Sequence, residues 1–174
     1  MIDTLLKRKS VRSYTGENIS EEELSIILKA CDASPVGMKQ YETLHLTIIS
    51  NKELLNKIQT TTSKMFGKPD MNPLYNAPTL IVISSKKFPD HMANVMYSNA
   101  AIMSHNIALA ATSLNIGSCY IWGLIAAISN NEEIIKELNL PDGFIPCCAV
   151  ILGKTTEEYN KKDIPERISK TYIK

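Results

Sequence analysis

Three side chains near the amino terminus have the chemistry to hold a phosphate group. Arg8 and Arg12 are four residues apart, with Ser10 between them. A guanidinium group donates two parallel hydrogen bonds to phosphate oxygens, and one helical turn would bring residues four apart to one face. The segment therefore indicates a phosphate site. The other interpretation is a solvated basic helix end, to which Lys7 and Lys9 also belong and where the helix dipole favours cations.

The rest of the sequence has none of the usual catalytic motifs. It contains no GxGxxG after a strand, no phosphate-binding P-loop, no GxSxG and no HExxH. His45, His91 and His105 are far apart in the sequence and fall in a predicted strand, a loop and a helix. We therefore predict structural roles for these histidines rather than a catalytic role.

Composition predicts a single globular domain over residues 1–174. The chain is 44% hydrophobic and 21% charged, with a formal net charge of +1, which excludes a disordered chain and a bulk attraction to nucleic acid or membrane. Residues 100–128 are too interrupted by polar side chains to span a membrane, and the first residues lack the apolar core of a secretory signal. We expect a cytoplasmic protein.

Cysteine usage agrees with a reducing compartment. The four cysteines contain no CxxC pair, and the adjacent Cys147 and Cys148 lie in an apolar run. A disulfide framework and a zinc site are therefore poor interpretations, and we predict buried free thiols and no metal site.

Hydrophobic periodicity predicts helices alternating with strands. Ser20 and Glu23 form a capping box that opens a helix, and Asn130 with Glu133 has the same spacing. Further helices are predicted from Asp3 through the basic residues, over 52–65 and over 92–114, and strands over 44–50, 79–84, 118–122 and 145–152. The order predicts an α+β or α/β fold with about four strands, consistent with three layers.

Five segments in this order resemble a known family. Arg8-Lys9-Ser10-Val11-Arg12 precedes the capped helix, and Ala33-Ser34-Pro35-Val36-Gly37-Met38 follows that helix. A small-residue helix over 100–114 runs into Ile116-Gly117-Ser118-Cys119-Tyr120-Ile121-Trp122-Gly123. Leu152-Gly153-Lys154 ends the last strand, and Pro165-Glu166-Arg167 lies in the tail. Over nearly the whole chain this pattern resembles the short form of the nitroreductase family of FMN-dependent oxidoreductases.

The resemblance implies a homodimeric α+β fold of three layers, in which helices flank a central mixed sheet of four to five strands. FMN would lie at the subunit interface. The implied cofactor-binding residues are Arg8, Lys9, Ser10 and Arg12 in the basic segment, Pro35, Val36, Gly37 and Met38 in a loop, Tyr120, Ile121, Trp122 and Gly123 after the third strand, and Lys154 and Arg167 after the last one. The family loop carries serine and asparagine where this chain has Val36 and Lys39.

The implied function is hydride transfer from NAD(P)H through flavin N5 to a flat acceptor of the nitroaromatic, quinone or enone type, with ping-pong kinetics. A flavin would carry the chemistry, which explains why no catalytic side chain is evident. Trp122 is predicted to lie near the flavin, with core packing as the alternative, and Tyr41 to pack or lie at the surface. Two other functions stay open: a flavin-binding or flavin-processing protein without reductase turnover, and a structural dimer with an empty cleft.

Overall fold

The computed structural model describes residues 2–174, which contain four strands and six α-helices. The strands are β1 (Leu44–Ile49), β2 (Thr79–Lys86), β3 (Gly117–Tyr120) and β4 (Phe144–Gly153). The helices are α1 (Ile2–Lys7), α2 (Glu21–Asp32), α3 (Lys52–Met65), α4 (Ala93–Ser113), α5 (Trp122–Ser129) and α6 (Glu132–Glu137). No helix within these residues is both long and apolar enough to cross a membrane.

The strands form one sheet in the order β1-β2-β4-β3. This confirms the α+β class and the predicted strand number. The prediction of a mixed sheet is wrong for the described residues, because all three strand pairs are antiparallel. Strand direction depends on where each connection returns to the sheet, and hydrophobic periodicity along the chain does not record that.

Alternation along the central strands produces two cores, one on each face of the sheet. Leu80 and Val82 of β2 pack with apolar residues of α3, α5 and α6, whereas Ile81 and Ile83 pack with those of α2 and α4. A strand buried on both faces has a continuous apolar run rather than an alternating pattern, as residues 80–83 of β2 and most of β4 do. The three-layer prediction is therefore confirmed.

The sequence-based predictions for α2 and α3 are confirmed. Ser20 accepts a hydrogen bond from the Glu23 amide and the Glu23 carboxylate accepts one from the Ser20 amide, so the predicted capping box is present. Helix α3 has the predicted bounds, with Asn51 as its cap. All four cysteines are free and buried, as predicted.

The region after the third strand differs from the prediction. The strand ends at Tyr120 and Trp122 begins α5, a helix that was not predicted, while Asn131 rather than Asn130 caps α6. An apolar run with few polar residues has no clear period, so strand and helix are hard to distinguish there. The chain therefore turns from strand to helix at Ile121, beside the predicted site.

Candidate functional site

The basic segment, Arg8 to Arg12, is not helical. Helix α1 ends at Lys7, and the Val11 amide donates a 2.9 Å hydrogen bond to the carbonyl oxygen of Ser118 in β3. The prediction that a helical turn places Arg8 and Arg12 on one face is therefore wrong. Residues 8–12 lie in neither a helix nor a strand, so a helical turn is not what brings Arg8, Ser10 and Arg12 together.

The surroundings of Cys119 show what the side chains of Arg8, Ser10 and Arg12 lie near. Burial raises the pKa of the Cys119 thiol, while the Arg12 guanidinium, the Ser10 side chain and the Arg8 guanidinium act in the opposite direction. The Arg8 guanidinium carbon lies 6.0 Å from the centroid of the Tyr120 ring, a cation–π contact. Arg8, Ser10 and Arg12 thus lie near the end of β3.

Within residues 2–174, no carboxylate forms an ion pair with the guanidinium of Arg8 or Arg12. Every ion pair found among residues 2–174 uses a lysine ammonium, and none uses Arg8 or Arg12. The Arg12 backbone amide donates to Glu157 at 3.3 Å, but its side chain lines a cavity. Two unpaired guanidiniums on one side of one segment are a favourable arrangement for an anion.

The two lysines of the predicted site do have partners. Lys9 points to the other side of the segment, with its ammonium 2.7 Å from the Glu157 carboxylate and 5.7 Å from the Tyr159 ring centroid. Lys154 pairs with Glu23 of α2. Hydrogen bonds from these lysines lower the pKa of both glutamates. Both ammonium groups are thus neutralised within the fold.

Arg167 is exposed in the tail that follows β4, outside any helix or strand. Its predicted role at the phosphate stays a prediction.

A cavity of about 200 Å³ opens beside Arg12. Its lining includes the end of α3, part of the 67–78 loop and all residues from Cys119 to Leu124. Trp122 is 60% exposed and Phe66 is 48% exposed, so Trp122 is not core packing. No side chain caps α5, which leaves the N–H groups of its first turn without a capping partner.

Gly123 lets two elements approach closely at this cavity. A Cβ atom there would lie 2.8 Å from Cζ of Phe66, which is too close for an undisturbed structure. Sequence reasoning missed Phe66 and the loop residue Tyr75, because only the tertiary fold brings them to the β3–α5 turn. Tyr75 and Asn76 have positive φ angles of 51° and 65°, a strain that the sequence alone did not reveal.

The predicted 35–38 loop is held by α4 rather than by the basic segment. The Gly37 amide donates to Oδ1 of Asn99 at 3.0 Å, and Asn106 donates to the Ser34 hydroxyl oxygen at 2.8 Å. Pro35 and Met38 are exposed, Val36 is buried, and Met38 has a φ of 57°. Asn99 and Asn106 were not predicted as site residues.

The loop and Arg12 of the basic segment line different cavities. Val36 lines a second cavity of about 310 Å³, together with Cys31, Tyr41 and His45. The structure therefore brings Arg8 and Arg12 close to residues 120–123, whereas Val36 of the 35–38 loop lines another cavity.

His105 of α4 completes the surroundings of Tyr120. Its Nδ1 atom lies 2.9 Å from the Tyr120 hydroxyl oxygen, so a hydrogen bond joins α4 to the end of β3. Burial lowers the pKa of His105, and the positive charge of Arg8 lowers it further. Burial also raises the pKa of Tyr120, although Arg8 opposes that change.

Known proteins share both this sequence pattern and this fold. The model of the nitroreductase family matches residues 5–154. A nitroreductase with bound FMN from Bacteroides fragilis is 28% identical, with a TM-score of 0.83 over 99% of this chain and 98% of that one. One from Desulfitobacterium hafniense superposes with a TM-score of 0.85 at 24% identity, over 99% and 97% of the chains. An FMN reductase acting with NAD(P)H from Bacillus subtilis is 25% identical over 93% of this chain and 68% of its own length.

Proposed function

The chain belongs to the nitroreductase family, and from that premise we propose that it is an FMN-dependent oxidoreductase that uses NAD(P)H. The observation that carries the proposal is the pair of unpaired guanidiniums, Arg8 and Arg12, beside a cavity with an exposed aromatic wall. The family resemblance inferred from the sequence motifs is confirmed by the same match. The roles of single residues below are part of the proposal.

The basic segment fits a phosphate monoester. Such a group carries between one and two negative charges near neutral pH, and two guanidiniums neutralise it where one does not. Arg8 and Arg12 would hold the phosphate, with Ser10 between them on the same side of the segment. Lys9 and Lys154 are committed to Glu157 and Glu23, so we assign them a structural part in shaping the site.

The β3–α5 turn fits the edge of a flat ring system. The N–H groups at the start of α5 lack a side-chain cap, and the helix dipole makes this end favourable for electron-rich atoms. Gly123 allows the backbone to come close to a ring, and the exposed Trp122 lies next to it. Residues 120–123 would therefore orient the flavin.

When bound, FMN would supply the hydride chemistry between NAD(P)H and a flat nitroaromatic, quinone or enone acceptor. The chain itself would bind and orient the flavin. The donor and the acceptor would enter one cleft in turn. That arrangement leads to ping-pong kinetics.

A second copy of the chain would complete the site. The 35–38 loop lines a different cavity of its own chain, and the loop of a second copy would reach the site across an interface. Exposed apolar side chains on α4 (Tyr97 and Ile102) and in the tail (Ile164 and Ile168) are available for such an interface. We therefore propose a homodimer whose interface includes α4.

The absorbance spectrum of the purified protein tests the proposal first. We expect flavin bands, FMN as the flavin released on denaturation, and bleaching by NADH or NADPH without oxygen. Double-reciprocal plots at several fixed acceptor concentrations should be parallel, whereas intersecting lines would indicate a ternary complex. A bound flavin that neither dinucleotide bleaches would favour the flavin-binding alternative, and a colourless protein that takes up no FMN would overturn the proposal.

A further inference from the structure

The Arg8 guanidinium contacts the Tyr120 ring and forms no ion pair within residues 2–174. It lies over the Tyr120 ring, 6.0 Å from the centroid, and no carboxylate within residues 2–174 pairs with it. An arginine side chain has several rotatable bonds, so holding its guanidinium in one place costs conformational entropy. A ring fixed beneath the guanidinium reduces the entropy that remains to be lost when an anion binds.

Tyr120 is itself held from the other side, by α4. The His105 Nδ1 atom is 2.9 Å from the Tyr120 hydroxyl oxygen, at the end of the ring that points away from the backbone. Tyr120 is the last residue of β3, and the chain turns into α5 two residues later. The hydrogen bond to α4 therefore fixes a ring that stands at the end of its strand.

We propose that His105 is a positioning residue for the cofactor phosphate, holding the Tyr120 ring by its hydroxyl so that the ring orients Arg8. The inference rests on the proposed function in one respect, that Arg8 binds the FMN phosphate. His105 itself touches neither the phosphate nor the flavin in this scheme. Its effect reaches the site through a neutral hydrogen bond and a cation–π contact.

The test compares two ligands that differ only in the phosphate. Dissociation constants of FMN and riboflavin are measured by flavin fluorescence with the full chain after removal of its own flavin. The variants are Arg8→Ala, His105→Ala, Tyr120→Phe and the double variant His105→Ala/Tyr120→Phe. Tyr120→Phe keeps the ring but removes the hydroxyl.

We expect His105→Ala and Tyr120→Phe each to weaken FMN about two- to tenfold, the range of one net hydrogen bond. Riboflavin affinity should change by less than about twofold. The double variant should lose no more than either single variant, because both remove the same bond. His105→Asn should restore FMN affinity, since its amide places a polar atom near the position of Nδ1. His91→Ala, at an exposed histidine before α4, is the control and should have no effect.

Three outcomes would contradict the inference, and they separate it from the proposed function. Equal losses for FMN and riboflavin in His105→Ala would show that His105 serves the fold and not the phosphate. A loss of FMN affinity in Arg8→Ala without any loss in His105→Ala and Tyr120→Phe would overturn the inference and leave the proposed phosphate site standing. An unchanged ratio of FMN to riboflavin affinity in Arg8→Ala would overturn both. If His105→Ala fails to fold, the FMN and riboflavin dissociation constants of Tyr120→Phe and His105→Asn are compared instead.

Discussion

The Val11 amide donates a 2.9 Å hydrogen bond to the Ser118 carbonyl oxygen, and this bond sets the register of the basic segment beside β3. Val11 is fully buried, so its position is also fixed by packing. With Val11 turned into the core, the even-numbered Arg8, Ser10 and Arg12 face Cys119 and Tyr120. A slip of one residue would exchange the two sides and turn Lys9 toward the cavity.

Removal of one guanidinium should weaken FMN binding strongly. A charge-assisted hydrogen bond contributes about 1.5–3 kcal/mol, so Arg12→Ala should raise the dissociation constant of FMN about 10- to 150-fold. Riboflavin, which lacks the phosphate, should bind Arg12→Ala and the unaltered protein alike. Fluorescence titration with both flavins measures the effect.

The matched control for that experiment is Lys39→Ala. Lys39 is an exposed cation in the 3₁₀ turn after the 35–38 loop, at a position where the family pattern has asparagine. We expect its removal to change FMN affinity much less. Equal losses from the two substitutions, or riboflavin binding as tightly as FMN to the unaltered protein, would show that the phosphate lies elsewhere.

Gly117→Ala should destabilise the fold at the point where the basic segment meets β3. A Cβ atom there would lie 2.8 Å from Cε1 of Tyr14 and 3.1 Å from both the Gly153 carbonyl oxygen and Cγ1 of Val11. Overpacking of this kind costs about 1–3 kcal/mol. The free energy of unfolding in urea should fall by that amount, while Ser13→Ala at a nearby exposed side chain should leave it unchanged. A Gly117→Ala protein as stable as the parent would mean that the segment moves away freely.

The four cysteine thiols should resist alkylation in the folded protein. Burial raises the pKa of Cys31 and of Cys147 to about 12, and it raises the pKa of Cys119 and Cys148 as well. Since the thiolate is the reactive form, iodoacetamide at pH 8 should label none of them until the protein is unfolded in urea. Mass spectrometry before and after unfolding counts the labels. Rapid labelling of the native protein would contradict the buried positions.

Stability should fall in acid because of two glutamates that pair with lysines. The pKa values of Glu157 and Glu23 are lowered from 4.5, chiefly by side-chain hydrogen bonds from Lys9 and Lys154. A carboxyl whose folded pKa lies below its unfolded pKa stabilises the fold above the unfolded value. That stabilisation is lost as the pH falls through the folded value. The loss should therefore begin below about pH 4.5.

Urea unfolding at a series of pH values between 7 and 3 measures this effect. Glu157→Gln should lower stability at pH 7 and make the decline below pH 4.5 shallower. Glu158→Gln is the control, because Glu158 is the neighbour of Glu157 in the chain and accepts a hydrogen bond from the neutral Asn160 side chain instead of pairing with a lysine. A decline just as steep in Glu157→Gln would place the acid-sensitive groups elsewhere.

The proposed homodimer predicts that a charge on the exposed face of α4 will separate the subunits. Ile102 is 38% exposed on this helix, and Ile102→Glu would place a carboxylate in an apolar interface. Sedimentation at low micromolar concentration should show a dimer for the unaltered protein and a monomer for Ile102→Glu. Thr60→Glu, at an exposed position of α3, should stay dimeric. A stable folded monomer of the unaltered protein would contradict the proposal.

Several features were determined by the sequence because their causes are local. The Ser20–Glu23 capping box, the bounds of α3 and the apolar runs of β2 and β4 depend on residues a few positions apart, and periodicity and side-chain type are sufficient to predict them. The order of motifs from Arg8 to Arg167 was likewise enough to indicate the family, since each motif has a fixed place along the chain.

Other features were decided only by the tertiary structure, because they depend on partners far away in sequence. The pairing of Lys9 with Glu157, the contact of Gly123 with Phe66 and the hydrogen bond between His105 and Tyr120 each join separate elements. From the sequence, Arg8 and Arg12 were predicted to share one side because a helix was expected there. The structure places them there because Val11 pairs with β3, and long-range hydrogen bonding, not helix propensity, sets the conformation of that segment.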